Sequence, residues 1–170
     1  MPNHVTNKIK VLGSKEEIKE VLEKVKGEEV TIDFNNIVPT PDDIFQGNVG
    51  RDEELKYGNK TWHVWNRENW GTKWNAYSTN IENDDTIVFD TAWSTPLPVI
   101  KALSKLFPNI GFELSYADED IGSNCGVLTL ANGDIVKSLN FPDCNSNEAR
   151  KFACEIVGYD YDDYLADMEE

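Results

Sequence analysis

The chain has 170 residues and a formal charge of −15, a length that buries one ordinary hydrophobic core and fits a single domain over 1–170. Residues 1–109 carry 17 acids and 13 bases, whereas 110–170 carry 14 acids and three bases; such an acidic excess repels a phosphate backbone and argues against direct nucleic-acid binding. With no apolar run of roughly 20 residues for a membrane span and no basic-then-apolar leader, a cytoplasmic protein is expected.

Val5, Asn7, Ile9 and Val11 alternate with Thr6, Lys8 and Lys10, which predicts an opening strand. Ser14 and Glu17 form a capping box, Ile18, Val21, Leu22 and Val25 recur at helical spacing, and Gly27 marks the stop. From 28 to 74 the pattern loosens and the chain looks inserted: a short strand is expected at 30–34, a short helix started by Thr40 or Pro41 with Asp42 and Asp43 in its first turn, and a weakly patterned helix at 52–57. Four of the five tryptophans, Trp62, Trp65, Trp70 and Trp74, fall in this stretch.

Regularity returns at 75–82, where Tyr77, Thr79 and Ile81 alternate, followed by the turn Asn83-Asp84-Asp85 and a strand carrying Ile87, Phe89, Thr91 and Trp93 on one face. That alternation assigns Trp93 to the core. Thr95 and Pro96 open a second helix whose expected buried stripe is Val99, Ile100, Leu103, Leu106 and Phe107, ended by Pro108. A strand with Phe112, Leu114 and Tyr116 on one face follows, then a hairpin turning at Asn132-Gly133, a pair suited to a type I′ turn. Asn145 and Glu148 start a helix that Gly158 ends, and a short acidic helix closes the chain.

The order strand, helix, hairpin, helix, strand predicts an α+β fold, a ferredoxin-like split βαβ sandwich with two helices on one face of an antiparallel sheet. Its core falls at 3–27 and 75–118, with a tryptophan-rich insertion at 28–74, an extra hairpin at 125–141 and an acidic helical end at 145–170. An iron–sulfur cluster requires four placed cysteines, and the chain has three, Cys125, Cys144 and Cys154, without C-x-x-C spacing. Reduced thiols and no structural zinc are expected.

Met1-Pro2-Asn3, the block from Asn69-Trp70-Gly71 through Thr72-Lys73-Trp74 to Asn75-Ala76, Phe89-Asp90-Thr91-Ala92-Trp93-Ser94 with Pro96 and Pro98, and Phe107-Pro108 with Phe112-Glu113-Leu114 resemble the YubB-type ferredoxin-like family of phage and plasmid proteins over about 1–140. The resemblance implies the same fold and a mobile-element origin, and it carries no activity. The acidic helical end after Phe141 has no counterpart in that family.

Catalysis finds no signature. His4 and His63 are the two histidines, and neither sits in a nucleophile motif or in an H-x-x-x-H pair for a metal. Asp160, Asp162 and Asp163 lack the glycine and the closing glutamate of a calcium loop. No catalytic residue, metal or cofactor is assigned, and a hydrolase using unplaced carboxylates is the least favoured alternative.

Two contact regions are expected instead. Trp70 and Trp74 flank a Gly-Thr-Lys turn where Arg67 or Lys73 can stack on an indole. At the acidic end, Asp160, Asp162, Asp163 and Asp167 stand beside Tyr161 and Tyr164. The expected function is a non-enzymatic protein-binding module acting in a bacterial host cell, a counter-defence inhibitor presenting acidic surface to the basic groove of a nucleic-acid-handling host protein. The alternative is an accessory module whose tryptophan segment binds a small ligand, an aromatic platform for a sugar included, or forms a homodimer.

Overall fold

In the computed structural model, which describes residues 3–141 and 143–168, six strands form one antiparallel sheet. They are β1 His4–Leu12, β2 Tyr77–Glu82, β3 Thr86–Ala92, β4 Gly111–Asp118, β5 Cys125–Ala131 and β6 Asp134–Asn140. Their order, β2-β3-β1-β4-β5-β6, contains the ferredoxin-like arrangement in its first four members, and the expected extra hairpin extends it past β4. Met1, Pro2 and the final acids Glu169 and Glu170 lie outside the described residues.

Two helices, α1 at Lys15–Val25 and α4 at Leu97–Leu106, pack on one face. Val21 and Val25 of α1 and Val99, Ile100 and Leu103 of α4 share one buried cluster with Ile9, Ile87, Phe89, Phe112, Leu114 and Leu130 from four strands, as the period-two and helical stripes require. The capping box forms: the Ser14 hydroxyl accepts from the Glu17 N–H, and the Glu17 carboxylate accepts from the Ser14 N–H at 2.7 Å. Both hairpin turns place consecutive residues at positive φ, Asn83 and Asp84 in one, Asn132 and Gly133 in the other, which is the geometry that matches strand twist.

The opposite face is covered at one end by α5, Asn147–Val157, whose Ala153, Cys154 and Ile156 form a second buried cluster with Ala117 and Ile121. The last helix, α6 at Tyr161–Met168, packs Tyr161 and Tyr164 on that cluster.

Several local expectations change. Segment 30–34 does not join the sheet: Thr31 N–H donates to the Thr79 hydroxyl rather than to a strand carbonyl, and a 3₁₀ turn at Phe34–Asn36 follows. The turn at Asp42 and Asp43 does not extend into a helix, the weak stretch is a helix, α2 at Arg51–Tyr57, and the tryptophan-rich stretch holds another, α3 at Trp62–Asn69. Ile18 and Leu22 are half-buried, and of the stripe expected in the second helix Phe107 is half-buried and Leu106 exposed. Pro96 rather than Thr95 caps α4, because the Thr95 hydroxyl is committed to the buried Asn7 amide oxygen. Ser146, not Asn145, caps α5.

Trp93 is the largest correction. It is 42% exposed, with φ of +75°. The left-handed residue breaks the strand alternation and sends the indole outward.

Candidate functional site

Trp62, Asn66 and Trp70 follow one another at four-residue spacing along α3 and its C-cap, so they form one stripe. That stripe, continued by Trp74 and Asn75, makes one wall of a groove of about 620 Å³. The loop 35–46 makes the other wall, with Asn35, Thr40, Asp42 and Gln46 as its polar members and Ile44 buried behind them.

Backbone pairing holds the two walls together. Phe45 N–H donates to the Lys60 carbonyl and Trp62 N–H donates to the Phe45 carbonyl, both at 2.9 Å. Phe45 stacks on Tyr57 with ring centroids 4.4 Å apart. Lys60 pairs with Asp43 at 2.6 Å across the same junction; its ammonium holds the Asp43 carboxyl below the usual range, and Asp43 raises Lys60 in turn. Both groups are open to water, so this pair guides the loop more than it stabilises the fold.

The floor is fixed to the core. Trp70 is 4% exposed, its indole N–H donates to the Val38 carbonyl at 2.9 Å, and its ring meets Phe34 and Trp65 edge-on. Asn75 accepts from the Phe34 N–H and donates to Asp33. Gly71 is obligatory beneath the turn, because φ is +76° and a Cβ would stand 2.7 Å from Pro98.

At the rim, the Lys73 ammonium lies 4.7 Å from the centre of the Trp74 ring and 4.8 Å from that of Trp93. One cation thus fixes two exposed indoles. His63 meets Trp62 and Trp93 edge-on. Burial lowers its pKa, and Arg67 and Lys73 lower it further. On the far side, Tyr77 contacts Trp74 edge-on and shares a 2.6 Å hydrogen bond with His4. Burial, then Asp90 and Glu119, pushes the Tyr77 phenol up to about 12. The result is a continuous aromatic border from Trp62 to His4.

Of the residues singled out in the sequence, Trp70 and Trp74 line the groove, Lys73 braces its rim, and Arg67 lies outside it with its Nε–H donating to the His63 carbonyl. The acidic group lies elsewhere, on α6. There the Asp160 carboxylate caps the helix by accepting from the N–H groups of Asp162 and Asp163, Tyr161 and Tyr164 are half-buried against α5, and Asp162, Asp163 and Asp167 are exposed. The structure does not bring the two groups into one site. Sequence reasoning left out Trp62, Asn35, Thr40, Asp42 and Gln46; the spacing of Trp62, Asn66 and Trp70 was the available signal.

Among the described residues, no cluster of three or more His, Cys, Asp or Glu side chains is arranged for a metal, and no helix is long and apolar enough to cross a membrane. Cys154 is buried and Cys125 half-buried, and burial raises both thiols, so neither is an activated nucleophile.

A solved structure, the protein api92 from Yersinia pseudotuberculosis, is similar to this chain at 18% identity with a TM-score of 0.41, over 49% of this chain and 31% of that one. The chain therefore spans under a third of that relative's length. No curated protein matches. The family model described as the ferredoxin-like domain in Api92-like protein matches residues 73–160, which takes in β2 through α5, the rim residues Lys73, Trp74 and Trp93 included, leaves most of the tryptophan-rich insertion outside, and extends past Phe141 over a helix expected to lack a family counterpart. On that match the chain belongs to the family of Api92-like ferredoxin-like domains.

Proposed function

We propose that this protein is a non-catalytic binding module and that the tryptophan-walled groove receives a small polar ligand. The observation that carries the reading is the convergence of three indoles with four polar side chains of a separate loop on one groove. Among the described residues, the Asp42 carboxylate and the Thr40 hydroxyl accept no hydrogen bond and form no ion pair within the protein. Concave shape, aromatic walls and a few convergent polar groups are the usual features of a ligand site. Both walls are tied to the fold, which lowers the ordering cost of binding.

The test is a thermal-shift and tryptophan-fluorescence screen of saccharides, nucleosides, amino acids and short peptides. A ligand of the groove raises the melting temperature by an amount that grows with the logarithm of one plus its concentration over its Kd, and the shift disappears on Asp42→Ala with Gln46→Ala. Absence of any shift across the set overturns the reading.

A second reading, a counter-defence protein of mobile-element origin acting in the bacterial cytoplasm on a basic host protein, is favoured by the distribution of ion pairs. The four pairs among the described residues all lie between Lys8 and Asp85. Apart from the buried Asp118, the acids of 110–168 therefore present their field outward. A shallow groove of about 360 Å³ lined by Asp160, Asp163 and Asp167 with Tyr159 and Tyr164 supports a basic side chain of a partner as its occupant.

A further inference from the structure

We infer that the ligand of the tryptophan-walled groove is a short oligosaccharide of equatorially substituted pyranose rings, an inference that rests on the groove being a ligand surface. Such a ring presents two flat faces of axial C–H groups and a rim of hydroxyls. The flat face matches an indole, whose electron-rich surface attracts C–H groups. The rim needs partners that accept as well as donate, because each sugar hydroxyl does both.

The groove supplies that combination. Trp62 and Trp74 are its accessible indoles, since Trp70 is 4% exposed and serves as floor. The indole N–H groups of Trp62 and Trp70 donate to the Gly47 and Val38 carbonyls, so what these two rings offer a ligand is carbon surface. Asp42 and Gln46 line the same groove from the loop 35–46. A carboxylate is a planar pair of acceptors and a primary amide a planar acceptor beside a donor, each spaced to engage neighbouring hydroxyls on one ring.

The competing ligand classes fit less well. No lysine or arginine lines the groove, so a phosphate or carboxylate ligand would meet Asp42 without a countercharge. A purely apolar ligand would strip water from Asp42, Gln46, Thr40 and Asn35 without replacing their hydrogen bonds. A proline-rich strand needs donors for its carbonyls and has almost no N–H to offer the Asp42 carboxylate. A sugar satisfies the carboxylate by donating and the amides by doing both. The volume of about 620 Å³ lies in the range of small-ligand sites.

The wall geometry adds selectivity. Lys73 holds Trp74 in place from one side, and the Phe45 junction holds Trp62, so the platforms are set before the ligand arrives. A ring with an axial hydroxyl interrupts one of its flat faces and loses contact with a fixed indole.

The experiment is titration of the full chain with cellotetraose, tetra-N-acetylchitotetraose, β-1,4-galactotetraose, adenosine monophosphate and a decaproline peptide, read by tryptophan fluorescence and calorimetry up to about 10 mM, where a ligand of about 1 mM affinity saturates. The expected result is saturable binding of cellotetraose or tetra-N-acetylchitotetraose, weakened about tenfold or more by Trp62→Ala and by Asp42→Asn, with the galactose oligomer weaker. Asp42 is exposed, so its substitution tests the site without a risk to folding. Binding of the nucleotide or peptide in place of the tetrasaccharides, lost on Trp62→Ala, overturns the sugar assignment and leaves the groove as a ligand site. Tetrasaccharide binding unchanged by Trp62→Ala and Asp42→Asn overturns the placement, and no binding by any tetrasaccharide overturns the inference.

Discussion

Phe89 and Trp93 stand four residues apart along the end of one strand, yet Phe89 is fully buried and Trp93 is 42% exposed. Between them Thr91 and Ala92 keep the register, and the φ of +75° at Trp93 turns its indole toward Lys73 and His63. Its own N–H donates to the Asn3 carbonyl at 2.8 Å, which anchors the unusual backbone. A left-handed tryptophan costs about 1 to 2 kcal/mol relative to an ordinary conformation, and such strain concentrates where a side chain must point in one direction for function.

Trp93→Ala and Trp93→Gly separate the backbone from the ring. Both remove the stacking with Lys73, but glycine releases the strain and alanine retains it. We expect the glycine variant to be the more stable of the two by about 1 kcal/mol in urea denaturation. The reverse order would show that position 93 does not hold the left-handed conformation in solution.

Trp70 and Trp74, four residues apart on either side of one turn, are expected to behave differently. Trp70→Ala removes a buried ring and leaves the Val38 carbonyl without its donor, a change of about 3 to 5 kcal/mol. Trp74 is 38% exposed and is held chiefly by the Lys73 ammonium, so Trp74→Ala costs about 1 kcal/mol or less. Chemical denaturation of the two variants distinguishes them, and equal losses would mean that the two rings share one environment.

The elements with a local period were legible. The capping box of α1, the alternation of β1 and the two positive-φ turns are written in adjacent residues; the first three of these features mark the ferredoxin-like core, and the turn at Asn132-Gly133 marks the hairpin added to it. The groove was not, because its walls are joined by Phe45 pairing with Thr61 across a long stretch of chain, and backbone bonds of this kind leave no periodic mark. Val30, Ile32 and Phe34 alternate like a strand, but Thr79 takes the hydrogen bond that a neighbouring strand would have supplied. Trp93 defeated the alternation through a single dihedral.

His63 gives a pH dependence of known sign. Burial and the nearby charges of Arg67 and Lys73 lower its pKa from the ordinary 6.5, so the unfolded chain takes up this proton at a higher pH than the folded one. The contribution of neutral His63 is full above 6.5 and is lost as pH falls from there through the lower folded value. The melting temperature of the native chain should therefore drop more than that of His63→Gln between about pH 7.5 and about pH 5.5. Parallel curves for the two proteins would place the imidazole in water.

The acidic end offers the test of partner binding, with the choice of residues dictated by the structure. Asp160 caps α6 and should be retained, whereas Asp162, Asp163 and Asp167 are exposed and carry charge without a structural bond from their side chains. Changing these three to Asn should leave the fold intact, since Tyr161 and Tyr164 still pack on α5. Against a basic protein partner the native chain should associate faster at low salt, and the difference should fade as ionic strength shortens the screening length to about 8 Å. A solubilising surface predicts lower solubility of the triple variant and unchanged association. Equal rates at low salt would remove the acidic helix from any role in recognition.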